Sequence, residues 1–507
     1  MLPEGCSTCA FATAALALCS MGVCPLAYAA TEAAQGAKVR EPAVAGQFYP
    51  SDPGELAGQI DAFLGQAQAQ PVGELKALVC PHAGYVYSGP VAAFGYKLLE
   101  GRHYDTVVVM GPSHYAYMQA CALPDASGYR TPLGVVPISP RAALLAQSRP
   151  FALDPPCDVK RPGWASMTER VARGRDTAET WEHSVEVEVP FLQKTLKGFA
   201  LVPIVCGDVD PAAAARALAP IVDDRTLVVA SSDLSHYYPY DEARRLDRDC
   251  VSAICSLDLR SMESQQACGR IPIMILMNLA RERGWKARLL DWRNSGDTSG
   301  DTSHGVVGYA AIAFYAPFGR QLGDSQRQSL LAIARRALRE SVATGAIPGG
   351  APAEPGLDAP RGCFVTLTRG GALRGCIGNL AAQGPLYQAV AQNTRSAALD
   401  DPRFQPVSSR EVDALRIEVS VLSEAQRLSF SSPDDLLLKL QPGVDGVILR
   451  IGSRMATYLP QVWEQLPDKA RFMDSLAEKA GCEASAWRLP GASVYLYEVE
   501  SFKEPGA

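Results

Sequence analysis

All six histidines of this 507-residue chain fall between residues 82 and 304. Imidazole titrates near neutrality, and one ring nitrogen can ligate a metal while the other is held by a neighbour. Acid–base or metal chemistry based on histidine is therefore confined to the first part of the chain. Two of the six terminate short apolar runs: His82, in PHAGY at 81–85, follows the run at 77–80, and His114, in GPSH at 111–114, follows the run at 106–110. Residues 90–100 between them read as a helix, so the stretch predicts a β-α-β unit with neighbouring parallel strands. Both imidazoles then sit just beyond the carboxyl ends of those strands, where open α/β sheets place their ligands. The competing reading, that each ring merely satisfies backbone groups in its own turn, is weakened because the pattern occurs twice at matching places.

Three further positions carry the same kind of chemistry. His183 stands in WEHSVEVEVP at 181–190, at the expected start of a helix, between Glu182 and Glu186. Adjacent carboxylates raise an imidazole's basicity and can fix its tautomer. His236 closes ASSDLSH at 230–236, after another apolar run. Asp233 could orient His236 or reach a metal; alternatively Ser231, Ser232 and Asp233 only cap the next helix. Cys268 lies in ACGRIP at 267–272, where Gly269 permits close backbone approach and Pro272 marks a helix's first turn. A sulfur at a helix amino end is biased towards thiolate, although taken alone an ordinary buried cysteine is the stronger reading. Two imidazoles with a thiolate suit Zn, Fe or Cu better than Mg or Ca.

These groups need a scaffold, and the chain is too long for one ordinary domain. A hydrophobic content of 47% and a charged content of 20% are usual for globular proteins. The net charge of -6 gives no electrostatic case for nucleic acid or an acidic membrane surface. From 39 to 318, helical patterns (53–68, 184–197, 211–222, 240–256, 261–267, 271–283) alternate with β-branched runs (200–205, 226–230, 306–314), which predicts an α/β layered fold with a largely parallel sheet. A second unit, 324–503, opens with an amphipathic helix at 325–343 and continues through an irregular stretch at 346–360, a hairpin (363–368 and 373–377) and later strands at 415–422, 446–451 and 494–500: a smaller α+β domain. In that hairpin Arg374 and Cys376 are two apart and share a face. They could form an anion-binding or nucleophilic pair, or be a packed strand residue beside an exposed arginine. A hairpin centred between Arg369 and Gly370 would set Cys363 opposite Cys376, within reach of a cross-strand disulfide. Residues 1–30 include an apolar run from Phe11 and an Ala27-Tyr28-Ala29 of signal-peptidase form, which predicts export to the periplasm. Before Phe11, however, there is a Glu4 and no Lys or Arg, so a cytoplasmic location is the alternative. Pro25 interrupts the run, which argues against stable membrane insertion.

The strings PHAGY, GPSH, EHSVE, SSDLSH and CGRIP, in this order after REPAVAGQFYP, resemble the Memo family, also called AmmeMemoRadiSam system protein B, over about 39–318. That family resembles class III extradiol dioxygenases in fold. The resemblance implies a metal pocket of His82, His114 and Cys268, lined by the catalytic candidates His183, Asp233 and His236. Fe(II) is the ion implied first, with Zn or Cu as alternatives, and Cys268 stands where those dioxygenases use a carboxylate. The second unit resembles the AMMECR-type domain, AmmeMemoRadiSam system protein A, through LRGCIGN at 373–379, FVTL at 364–367, DPRF at 401–404 and YLPQVW at 458–463. The chain thus looks like a fusion of two components of one system. The third, a radical SAM protein, is expected as a separate chain, because no CxxxCxxC occurs here. Two function classes follow. One is a metal-dependent enzyme, oxidative or hydrolytic, acting on a small or modified-peptide substrate with His183 or His236 as general base; the other is a binding module that keeps the pocket without turnover.

Overall fold

The computed structural model describes residues 38–68, 70, 72–163, 176–316, 322–350, 352 and 354–505, so the expected leader at 1–30 lies outside the described residues. The first domain is built on a nine-stranded mixed sheet. Helix α1 (Pro53–Gln66) precedes β1 (Glu74–Cys80), α2 (Tyr85–Lys97) and β2 (Thr106–Pro112). Then follow β3 (Cys121–Leu123), β4 (Phe151–Leu153), α3 (Val189–Thr195), β5 (Ala200–Cys206), β6 (Thr226–Ser231), β7 (His236–Tyr238), α4 (Tyr240–Cys255), α5 (Arg270–Arg283), β8 (Lys286–Asn294) and β9 (Val306–Ala316). The strand order is β7-β9-β1-β6-β2-β5-β3-β4, with β8 also on β9. The four central strands β1, β6, β2 and β5 are mutually parallel, whereas β9 and β3 run antiparallel on either side. A sheet covered on both faces is expected to read as continuous apolar runs. Accordingly, all seven residues of β2 and all six of β6 are buried, and separate apolar clusters pack against the two faces.

The order corrects one expectation. β1 and β2 are parallel but not neighbours, because β6, more than a hundred residues later in sequence, inserts between them. A β-α-β unit fixes handedness and direction but not whether a later strand will occupy the space between its two strands. The consequence is functional: the carboxyl end of β6 emerges between the turns bearing His82 and His114.

The second domain has two lobes. Helices α6 (Asp324–Thr344) and α7 (Leu386–Leu399) pack on a sheet of β10 (Cys363–Arg369), β11 (Ala372–Asn379), β12 (Leu415–Leu422) and the final strand, Val499–Lys503. The other lobe pairs β13 (Gln426–Leu428), β14 (Gly446–Ile451), β15 (Arg454–Tyr458) and β16 (Ala492–Tyr497), and carries α8 (Pro433–Lys439) and α9 (Lys469–Lys479) around its own core. A buried polar seam joins the two domains. Arg288 of β8 pairs with Asp445 at 2.7 Å, and Tyr315 of β9 donates to Glu498 at 2.9 Å.

Candidate metal centre

The turn after β1 places His82 in the interior, 1% exposed. Asp233, beyond the end of β6, accepts hydrogen bonds from the backbone N–H of His82 (2.9 Å) and of Ala83 (3.3 Å) and so fixes the turn. Asp233 Oδ1 is thus engaged by the backbone beside His82, and burial raises the carboxyl's pKa to about 6. The Ser231–Asp233 segment does not cap α4, whose N-cap is Pro239, so the capping alternative falls.

The protons around Ser231 fix the His82 tautomer. Ser231 Oγ lies 2.6 Å from the carbonyl of Ser184, 2.7 Å from Glu188 Oε1 and 2.7 Å from His82 Nδ1. A carbonyl can only accept, so the single hydroxyl proton goes to Ser184, and both other neighbours must donate to Oγ. Glu188 is therefore a neutral acid, consistent with burial, which lifts its pKa to about 8. Tyr96 donates to its other oxygen at 2.5 Å. His82 is then protonated on Nδ1, leaving the Nε2 lone pair free. That atom lies 3.3 Å from Cys268 Sγ.

His114 is oriented differently. Its backbone N–H donates to Glu182 Oε2 at 2.6 Å and its Nδ1–H to Oε1 at 2.8 Å, which leaves Nε2 for Cys268. Glu182 also accepts from the N–H groups of His183 and Ser184. Burial opposes its ionisation, but His114 and these donors outweigh burial and hold the carboxyl well below its ordinary range. Burial likewise opposes protonation of His114, yet Glu182 and Cys268 lift its pKa to about 10. Carboxylate–histidine pairs of this kind set tautomer and ligand basicity at metal sites.

His183 stacks on His114 with ring centroids 4.5 Å apart, and Phe48 packs against it at 4.7 Å. Its Nδ1 is buried without a hydrogen-bond partner. Burial, reinforced by His114, lowers its pKa to about 4 despite the opposing pull of Glu182. His183 precedes a 3₁₀ turn, Glu186–Glu188, that leads into α3. This segment is held from the amino terminus by Arg40, which bonds Glu186 and the carbonyls of Glu179 and Glu182. Glu186 in turn accepts from Val44 N at 3.0 Å and from Tyr49 Oη at 2.5 Å. REPAVAGQFYP is therefore the strap that seats Phe48 on the site.

Cys268 precedes α5, and the N–H of Asp233 donates to its sulfur at 3.3 Å. Burial raises the thiol's pKa, while the hydrogen bond with His114 acts the other way. Gly269 is required here: a Cβ would lie 2.4 Å from the Ser231 carbonyl. Gly111 is constrained in the same way, with Ser184 Oγ 2.3 Å from the place of a Cβ.

Ligand atoms of His82, His114 and His183 lie within 4.8 Å of one another, which makes the three a candidate metal-binding group. Cys268 adds a sulfur whose 3.3 Å separation from His82 Nε2 is close to the roughly 3.5 Å between two ligands of one tetrahedral ion. Two preset tautomers, an orphan imidazole nitrogen and a thiol make a donor set that suits a transition ion. The resemblance implies His82, His114 and Cys268 as the ligands; the three groups whose ligand atoms gather are His82, His114 and His183, with Cys268 beside His82. The structure also supplies Glu182, Ser231 and Glu188 as the groups that orient the rings.

His236 stands apart from this cluster. Its Nδ1–H donates to the Leu234 carbonyl at 2.8 Å, so Nε2 is the free nitrogen. With Cys268, Ser113, Asp208 and Arg270, it lines a cleft of about 530 Å³ beside the histidines.

In the second domain, Arg374 pairs with Glu411 (3.1 Å), and Thr366 Oγ1 donates to Cys376 Sγ (3.2 Å). Asp401 accepts from the N–H of Cys376 at 2.9 Å and from Arg403 at 2.8 Å. The structure does not bring Cys363 opposite Cys376. Residues 370 and 371 both adopt positive φ, and a bulge follows Leu367, so Thr366 faces Cys376 and Cys363 faces Asn379. The expected cross-strand disulfide is excluded by this register.

A mixed α/β sheet with imidazoles and a thiol gathered at the carboxyl rim of its parallel strands defines the class, and the comparisons define the family. The Memo-like protein family profile matches residues 40–313, and the AMMECR1 profile matches 331–502. The chain belongs to the Memo-like family and carries an AMMECR1 domain fused behind it. It is 38% identical over 298 residues to a MEMO1 family protein of Methanopyrus kandleri (54% of this chain, 98% of that protein) and 34% identical over 289 residues to one of Aquifex aeolicus (55% and 99%). A solved structure of an uncharacterized protein from Pyrococcus horikoshii matches at 34% identity and a TM-score of 0.35, covering 36% of this chain and 94% of that one.

Proposed function

We propose that the protein is a metal-dependent enzyme with a dioxygenase-like pocket, acting on a small or modified-peptide substrate in the cleft beside Cys268 and His236. The observation that carries this reading is the gathering of ligand atoms of His82, His114 and His183 within 4.8 Å of one another, with Cys268 Sγ 3.3 Å from His82 Nε2 and two of the rings locked by second partners. His82, His114 and Cys268 are the assigned ligands, with His183 as a fourth donor. Fe(II) is the favoured ion, and Zn or Cu are the alternatives. Such an ion supplies Lewis acidity or redox capacity to a substrate held against it. The chain's own residues do the rest: Glu182 and the Glu188–Ser231 pair hold the His114 and His82 rings through Nδ1 and aim their Nε2 atoms, Asp233 fixes the turn that bears His82, and His236 presents Nε2 to the cleft as general base.

Anaerobic metal analysis of the full chain and of His114→Ala tests the reading. Depletion in the variant is expected; equal metal content would remove the site. A panel of catechols then separates the classes, since metal retention without any turnover would favour a ligand-binding module over an oxidative enzyme. We also assign the chain to an AmmeMemoRadiSam-type system with a separate radical SAM partner, testable by co-purification. Export is checked by fractionation with sequencing of the mature amino terminus. Among the described residues no helix is long and apolar enough to cross a membrane.

A further inference from the structure

Where the two lobes of the second domain meet, a groove of about 890 Å³ opens between Leu380, Leu422, Ile448 and Met455. Leu422 and Ile448 in its wall belong to a small apolar cluster with Tyr497, against which Phe364 and Leu380 pack. Met455 is 59% exposed on the wall. This volume falls in the range of small-molecule sites, which favour junctions between folding units. Arg361, just before β10, lines the same groove. Its one side-chain hydrogen bond runs from Nε to the Leu422 carbonyl at 3.4 Å, and among the described residues it makes no ion pair. Burial depresses its pKa, and the carboxylate that acts on it, Glu500, is already bonded to Arg327 at 2.9 Å and to Leu322 N at 3.2 Å. Glu424 lines the groove too, but among the described residues Arg361 forms no ion pair with it, and a half-buried guanidinium outside any ion pair, beside an apolar wall, matches a molecule with an anionic head and a hydrocarbon body.

We propose that this groove is a binding site for an amphipathic monocarboxylate, whose carboxylate pairs with Arg361 and whose apolar body lies on Leu422, Ile448 and Met455. The site is independent of the metal reading, since no residue is shared with the histidine cluster.

The test uses the full chain, titrated calorimetrically with decanoate below its micellar concentration and, separately, with decanol as the uncharged counterpart. Saturable one-to-one binding of decanoate is expected, with decanol roughly tenfold weaker. Arg361→Gln should bring decanoate to the level of decanol, Arg361→Lys should keep part of the preference, and Ile448→Asp should abolish both, with circular dichroism and metal content unchanged. His114→Ala should bind decanoate as the parent does, so that failure of the metal centre and failure of the groove are told apart. Absence of saturable decanoate binding, or a preference for decanoate that survives Arg361→Gln, would overturn the proposal.

Discussion

Cys268 and Cys376 are both half-buried among charged and polar side chains, yet the two regions have opposite chemistry. Around Cys376 the charges face one another: Arg374 pairs with Glu411, with only its Nη1 buried outside any hydrogen bond, and Arg403 pairs with Asp401. Asp401 also holds the strand through the N–H of Cys376. Around Cys268 the ring nitrogens turn towards one thiol: His82 and His114 are held through Nδ1 and meet Cys268 with Nε2, and His183 Nδ1 is buried without a hydrogen-bond partner. The kind of capacity left over separates the two: beside Cys376 it is a guanidinium N–H, which can only donate, whereas beside Cys268 it is imidazole nitrogen, which can ligate a metal.

The contrast breaks most visibly at the ligands themselves. His82→Ala and His114→Ala should each lower metal affinity by more than about 100-fold, since each removes a donor outright, where even loss of an outer partner costs 10–100-fold. Cys376→Ser should leave metal content unchanged. Mass-spectrometric metal analysis of the purified variants reads both, and a metal loss in Cys376→Ser would erase the distinction.

Glu182→Gln comes next. It keeps one acceptor for His114 but removes the negative charge, and metal affinity should fall by about 10–100-fold with the fold intact. Competition with a chelator of known strength measures it; an unchanged affinity would mean that Glu182 only ties the backbone N–H groups together. A smaller effect, of the opposite kind, is expected in the second domain. Asp401→Ala strands the part-buried N–H of Cys376 and should destabilise that domain by about 1 kcal/mol, with metal content unaltered. A denaturant titration of the full chain checks it.

Much of the rim was legible in the chain because the signals there are local. An apolar run that ends in a turn with a histidine says which end of the sheet the ring occupies, and Gly269 before a helix says that backbone must pass close by. What was not legible depends on distant parts of the chain. The insertion of β6 between β1 and β2 is set by packing across more than a hundred residues, and with it the meeting of Ser231 and His82. Glu182 sits 68 residues from His114, so nothing in WEHSVE announces which imidazole its carboxylate orients; its neighbour His183 looked the obvious partner. The hairpin at 363–379 misled for a local reason: two consecutive glycines at positive φ with a bulge beside them move the partner of Cys363 from Cys376 to Asn379, a three-residue shift that changes every facing pair. The split of the second domain into two lobes, and hence the groove between them, left no mark in the periodicity.

Glu188→Gln is the finest probe, because it should change almost nothing at the metal. If Glu188 is a neutral acid donating to Ser231, the glutamine amide can donate in its place and accept from Tyr96, so His82 keeps its tautomer and metal affinity should stay within about threefold, less than 1 kcal/mol. Stability should respond to pH instead. The carboxyl's pKa is raised from 4.5 to about 8 in the folded protein. Below the unfolded value both states hold the proton and the contribution is complete. As pH rises towards 8, only the folded state still holds it, so stability declines by up to about 1.4 kcal/mol per pH unit for this one group. Above the folded value the decline stops. Other buried acids, among them Glu179 with a pKa raised to about 7, slope the same way, so the quantity to measure is the difference between variant and parent across pH 5 to 8. The variant should have the flatter profile, and an infrared band of a protonated carboxyl should vanish with the substitution. A profile as steep as the parent's, with metal affinity reduced, would instead mean that Glu188 is ionised and that Ser231 gives its proton to the carboxylate, leaving the tautomer of His82 to be set by something else.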